Sequence, residues 1–203
     1  MDPFVTLLAK AVPVDMDNVD NDQVIPARLM RKPRQDGMYG IYLFHDLRFN
    51  DDGSEKPDFI FNQPAFRGAR IVVASRNYAC GSSRLGAVYV HYDYGIRAVI
   101  AVSFGDVFYN NCFKNGILPI RLDEPSVAKL RGDLHAQPGA AIAIDLPRQT
   151  VAGPDGAVYR FEVDSFAKRC LLEGLSDIKL TLEHEPEIEA FEHMHRQQMS
   201  WLY

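Results

Sequence analysis

Cysteine is scarce in this chain of 203 residues: there are three, Cys80, Cys112 and Cys170. An odd number at wide spacing gives no disulfide framework, and the absence of a Cys-x-x-Cys pair leaves no local nest for a metal or redox centre. Reduced, buried thiols are the expected state. Basic charge is also short. Twenty-two Lys and Arg face 27 Asp and Glu, a formal net charge of −5, the wrong sign for a nucleic-acid binder. No apolar run reaches the roughly 20 residues of a membrane span. The opening MDPFVTLLAK has no basic segment followed by an apolar stretch and a small-residue cleavage site. No secretory signal is therefore read, and the cytosol is the expected location. Internal repeats and low-complexity tracts are missing as well.

What is present is ordinary for a globular protein, with 47% hydrophobic residues to build a core. Thr6 to Val14 reads as a strand. Asp15 to Pro26 is a polar loop rich in Asp and Asn, residues suited to turn geometry. Arg31 to Gly40 joins basic residues to Pro33, Gly37 and Gly40, the composition of a mobile surface loop of the kind that often carries function. In the centre, Ala69–Ala74, Arg97–Val102 and Ile117–Leu122 are short apolar runs that read as buried strands. Helices fall between them, from Ser82 to Tyr94 and from Phe104 to Asn115, each followed by a glycine stop.

That alternation predicts a parallel βαβαβ core. A helix over Glu124–Gln137, a strand over Ala140–Leu146 and a hairpin turning at Gly153–Gly156 add antiparallel character. Ser165–Gly174 reads as a helix capped by Ser165. A final amphipathic helix runs from Glu187 toward Met199. The expected fold is α/β, one domain over residues 1–203 with a mixed sheet. Its appendages are the mobile 31–40 loop and a C-terminal helical segment over 185–203.

The chemistry is expected at Gly81-Ser82-Ser83-Arg84, between a strand and a helix. A helix N-terminus presents unpaired N–H groups and the positive end of the dipole, and Arg84 adds a full charge, so a carboxylate would be welcome there. The same field lowers the cost of an alkoxide on Ser82, which could then act as a base in a dry site. Read without its surroundings, Gly-Ser-Ser is also a common turn, with Ser82 a plain N-cap.

The surroundings are distinctive. Asn77–Arg84 (NYACGSSR), Tyr92–Gly95 (YDYG), Ser103–Leu118 (SFGDVFYNNCFKNGIL), Asn18–Ala27 (NVDNDQVIPA), Leu43–Phe49 (LFHDLRF) and Asp164–Gly174 together span nearly the whole chain. They resemble the swivelling domain of the aconitase superfamily, in the form of the small subunits of 3-isopropylmalate dehydratase. The resemblance implies a hydro-lyase subunit, active only with a large subunit, that interconverts 2- and 3-isopropylmalate by dehydration and rehydration in leucine biosynthesis. It implies a [4Fe–4S] cluster on that partner, acting as a Lewis acid, and no cofactor in this chain. It gives Ser82 the position of the catalytic base. Ser83, Arg84, Asp22 and Arg34 take substrate-binding positions, with Arg31 as an alternative to Arg34.

Asp106 reads as a residue serving a helix dipole, Asn110 and Asn111 as caps, and Cys80 as a bystander. His184, His193 and His195 show no metal-ligand spacing. One departure stands inside the motif: Leu85-Gly86 replaces the Glu-His of the family pattern. With Ser82 as N-cap, Leu85 would cost a capping box and Gly86 about 1 kcal/mol of helix propensity. Two further readings follow from it: a paralogous subunit for a related diacid (2-methylmalate, dimethylmalate or a homoaconitate type), or a non-catalytic partner subunit.

Overall fold

The computed structural model describes residues 1–34, 38–81 and 84–202. Among these, seven strands form a single mixed sheet in the order β4-β3-β2-β1-β5-β6-β7. The strands β1 (Thr6–Val14), β2 (Ile71–Ala74), β3 (Ala98–Ala101) and β4 (Leu118–Arg121) run parallel. On the other side of β1, β5 (Ala141–Asp145), β6 (Thr150–Ala152) and β7 (Val158–Arg160) pair antiparallel. The mixed sheet and the α/β class agree with the sequence reading.

Two apolar layers explain why the central strands are continuous hydrophobic runs. Successive strand residues point to opposite faces. Ile71 and Val73 therefore join Ala98, Ile100, Leu118 and Ile120 under one layer, where Val127, Leu130 and Leu134 of α5 (Glu124–Ala136) cover them. Val72, Ala74, Val99 and Ala101 face the other layer. There they meet Ala87, Val88 and Val90 of α3 (Leu85–Tyr94) and Phe108 and Cys112 of α4 (Asp106–Lys114). Burial on both faces removes the polar alternation a half-exposed strand would show. Pro119 is tolerated in β4 because β4 is an edge strand.

The long connection from β1 to β2 holds α1 (Asn21–Val24), a 3-10 turn at Met38–Tyr42, and α2 (His45–Arg48). The stretch read as a polar loop thus contains a helical turn. Asp20 caps it, accepting from the Gln23 N–H at 2.7 Å, while the Gln23 side chain accepts from the Asp20 N–H at 3.0 Å. Arg48 is buried, with no carboxylate paired to it among the described residues. Its guanidinium donates to Asn62 Oδ1 (3.2 Å) and the Leu43 carbonyl (3.3 Å), and desolvation lowers its pKa.

Two helix starts are corrected. Asp164, not Ser165, caps α6 (Ser165–Glu173), accepting from the N–H groups of Phe166 and Ala167, both at 3.0 Å. Arg84, in extended conformation and with no side-chain cap bond, is the N-cap of α3. The chain ends in α7 (Asp177–Leu182), which the sequence reading lacked, and α8 (Glu185–Gln198), followed by a 3-10 turn at Ser200–Leu202. No helix among the described residues is long and apolar enough to cross a membrane.

Candidate active site

Three loops leave the C-terminal ends of β1, β2 and β3 and are tied to one another. This is the edge where open α/β sheets hold ligands. The β2 loop is the hub. Its Cys80 N–H donates to the Val19 carbonyl at 3.0 Å, and the Asn21 N–H returns to the Cys80 carbonyl at 2.9 Å. Toward the β3 loop, the Tyr78 N–H donates to the Ser103 carbonyl (3.0 Å) and the Gly105 N–H to the Tyr78 carbonyl (2.9 Å). Asn77 closes the knot: its N–H donates to Ser103 Oγ (2.8 Å) and its amide to Asn18 Oδ1 (2.9 Å).

Such close stitching needs unusual backbone. Asn18, Asn77 and Ala79 all have φ near +54°. Asn visits this left-handed region with little penalty; Ala does not, and holds it only where its surroundings over-determine it. Gly105 explains part of that determination. A Cβ there would lie 2.5 Å from the Ala79 carbonyl oxygen, so only glycine lets the two loops meet.

Beneath the hub, Tyr78 is fully buried and donates its hydroxyl hydrogen to His91 Nε2 (2.8 Å). The other ring nitrogen, Nδ1, donates to the Ala87 carbonyl (2.6 Å), which fixes the neutral tautomer. Burial pulls the His91 pKa down to about 4 and pushes the Tyr78 phenol up. The β2 loop is thus bolted to α3 through an uncharged pair inside an aromatic cluster with Phe44 and Phe108.

A cleft of 340 Å³ opens where the loops converge, lined by Asn21, Cys80, Gly81, Phe104, Gly105 and Asp106 among others. Gly81, with φ +84°, ends the described part of the loop, and Arg84 resumes it at the N-terminus of α3. Ser82 and Ser83 lie outside the described residues. Asp22 is exposed in the first turn of α1, whose cap Asp20 has its Cβ 3.7 Å from where a Gly81 side chain would start. Arg84 is exposed and donates to the Met30 sulfur at 3.4 Å. Gly81, Arg84 and the α1 turn therefore share one corner of the molecule.

Arg34 does not join them. It makes a bidentate pair with Asp93, both bonds 2.7 Å, and lies over the Tyr89 ring at 4.2 Å. Asp93 is eight residues past Leu85, about 12 Å down the helix. That pair raises the Arg34 pKa. Arg31 is exposed. Past the undescribed residues, the chain returns to α3 at Gly40, where a Cβ would stand 2.4 Å from the Tyr94 nitrogen.

The N-cap position also revises the reading of Leu85-Gly86. Leu85 is the first helical residue, not the third, so a capping box would call on position 87 and nothing is forfeited at 85. Gly86 has neighbours instead: a Cβ there would lie 3.3 Å from the Tyr39 hydroxyl and 3.4 Å from Met30 Cγ. Among the described residues, no group of three or more His, Cys, Asp and Glu is arranged to hold a metal ion. Cys112 and Cys170 are buried free thiols, and burial raises both pKa values.

A larger cavity of 620 Å³, lined by Tyr109, Arg121, Asp123, Ser126 and Tyr159–Glu162, lies apart from this knot of loops. The residues that sequence reasoning passed over are the ties: Asn18, Ser103, Gly105 and the Tyr78–His91 pair. Their one visible signal was a pair of Asn residues flanking the two loops.

This arrangement has relatives. The family model for the aconitase C-terminal domain matches residues 1–125, so fold and loop edge are those of that class. A model described as LeuD_N matches residues 128–165, and one for the C-terminal domain of the 3-isopropylmalate dehydratase small subunit matches residues 177–203. The 3-isopropylmalate dehydratase small subunit of Jannaschia sp. is 50% identical over 202 residues, covering all of both chains. That of Rhodopseudomonas palustris (strain BisA53) is 48% identical over 201 residues, covering 99% of this chain and all of its own. The chain belongs to the family of 3-isopropylmalate dehydratase small subunits. A crystal structure of a 3-isopropylmalate dehydratase from Methanocaldococcus jannaschii shares the fold, with a TM-score of 0.65 at 24% identity, over 92% of this chain and 99% of the other.

Proposed function

We propose that this chain is the small subunit of a two-chain hydro-lyase that converts 2-isopropylmalate to 3-isopropylmalate. It would work in the cytoplasm, in leucine biosynthesis, beside a large subunit. The observation that carries the reading is the stitched loop of Asn77–Gly81. Its left-handed residues and backbone ties hold the loop as far as Gly81, against the Asp20 cap of α1, and Arg84 opens the helix α3 that follows.

In this reading Ser82 is the base. It takes the proton from the carbon next to a substrate carboxylate; the C–H pair becomes the double bond, and the hydroxyl leaves the neighbouring carbon. Water then returns with the opposite regiochemistry, Ser82 giving its proton back. The α3 N-terminus and Arg84 hold the serine oxygen's charge and a substrate carboxylate. Ser83 and Asp22 bind and orient. Arg34 contributes only by exchanging Asp93 for a substrate carboxylate. The described residues do not assemble a ligand set for a cluster, so an iron–sulfur centre would belong to the large subunit, supplying Lewis-acid help to the departing hydroxyl.

The test mixes purified chain with a cluster-loaded large subunit, without oxygen, and follows the unsaturated dicarboxylate by ultraviolet absorbance. Turnover is expected only with both chains, falling about 10²–10⁴-fold in Ser82→Ala. Full activity in Ser82→Ala would sink the assignment.

A further inference from the structure

None of the fourteen residues of α8 is buried, although a lone helix of that length is marginal in water. Its sequence is amphipathic all the same. Ile188, Phe191 and Met194 lie toward one side, and His195 stacks on Phe191 with ring centroids 5.6 Å apart. These three are 38%, 59% and 48% exposed, and Ile178 and Leu182 of α7 and Trp201 are 73%, 54% and 75% exposed. Scattered exposed apolar residues need no explanation, but six large ones on elements that bury no residue of their own do. Six large side chains at this exposure are the raw material of a standard interface, roughly 800 Å² per partner.

We infer that α7, α8 and the Ser200–Leu202 turn form an arm that docks on the large subunit, and the inference rests on the two-chain reading above. Charge argues for this occupant over a second copy. The helix carries Glu185, Glu187, Glu189 and Glu192 against Arg196 alone. Packing it on its own copy would bring acidic flanks together, a like-charge juxtaposition that disfavours the pairing. Its receptor is then a groove with an apolar floor and a basic rim, the helix-in-groove mode. The family models set the arm apart: models over residues 1–125 and 128–165 match the body, and a separate one, for the C-terminal domain of the small subunit, matches residues 177–203.

The arm joins the body at the end of α4 remote from the cleft, through the Lys114–Asp177 pair at 3.2 Å. Docking there would hold the partner without entering the chemistry. The experiment titrates large subunit with wild-type chain, Phe191→Glu, and the double variant Glu189→Lys/Glu192→Lys, reading the dissociation constant by calorimetry. Light scattering reads each chain alone, and circular dichroism reads its fold. All three positions are exposed, so the variants are expected to fold. Phe191→Glu is expected to weaken the complex at least about tenfold. The charge reversal should weaken it less, and more so at low salt. At saturating partner, the turnover rate should be that of wild type.

Unchanged affinity in Phe191→Glu, with wild type binding normally, overturns the arm and leaves the two-chain reading standing. A wild-type dimer that Phe191→Glu converts to monomer, without loss of affinity for the large subunit, makes the arm a self-association device and also overturns it. No binding by wild type at all would count against the two-chain reading itself.

Discussion

The parallel and antiparallel halves of the sheet are built to different standards. Every residue of β2 and β3 is buried, while β5 alternates and β7 has no buried residue. Leu8 and Val158 stand 75% and 65% exposed on the bare face of the antiparallel half. The parallel half is covered twice because its strand ends carry loops that must be held still. The ties between Asn18, Asn77, Ser103 and Gly105 are short bonds that a loosely packed sheet could not keep in register. The antiparallel half needs only to pair β1 and shield one layer of the core. Substitutions should therefore cost much at the parallel edge and little on the bare face.

Gly105→Ala is the strongest way to break that contrast. Its Cβ would meet the Ala79 carbonyl and the Cys80 Cα, both backbone. A loss of about 3 kcal/mol is expected, the upper range of overpacking. Urea unfolding would measure it, and assay with the large subunit should show turnover falling further than folding alone explains. A neutral Gly105→Ala would mean the loops are not as tightly tied as the hydrogen bonds imply.

Next is pH. The folded pKa of His91 lies near 4, below the ordinary 6.5 of an unfolded histidine. Between those values the unfolded chain binds a proton that the folded chain refuses, so stability is full above about pH 6.5 and is lost as pH falls toward 4. The shift corresponds to about 3 kcal/mol. Unfolding curves at pH 7.5, 6 and 4.5 should show the decline, and His91→Asn should flatten that part of it, at the expense of lower stability at pH 7.5. An equally steep decline in the variant would place the titration elsewhere.

The Arg34–Asp93 pair tests how firmly the β1–β2 connection is fastened to α3. Asp93 has little exposure but Arg34 has more, so the pair is worth about 1 kcal/mol. Asp93→Asn should cost that much in thermal stability. In the assembled enzyme, Arg34→Ala separates roles: a raised KM would mark a carboxylate ligand, and an unchanged KM would mark a fastening only. The smallest effect belongs to the bare sheet face. Val158→Thr is expected to shift stability by no more than about 0.5 kcal/mol, and a loss several times larger would show that this face is covered.

The loop after β2 and the strands around it were legible because their strings are long and local, while the roles of Ser82, Ser83, Arg84, Asp22 and Arg34 rest on the proposed function. The start of α3 was misread because a serine before a helical run is a good N-cap by preference, yet the ties at Tyr78 and Cys80 fix where the chain becomes free to turn. Leu85 followed that error, since its supposed loss depended on a position three residues into the helix. Helix α7 went unread because its six residues, Asp177–Leu182, are too few to show a period.

By itself the sequence determined the central strands, their order along the chain and the family-like string Asn77–Arg84, because apolar runs, glycine stops and local motifs are written in neighbouring residues. Only the tertiary structure decided which loops touch. Asn18 meets Asn77 across 59 positions, Gly105 is reserved for the Ala79 carbonyl, and Arg34 is drawn to Asp93 at the far end of α3. Those choices depend on strand register and helix packing, which no short window of residues contains.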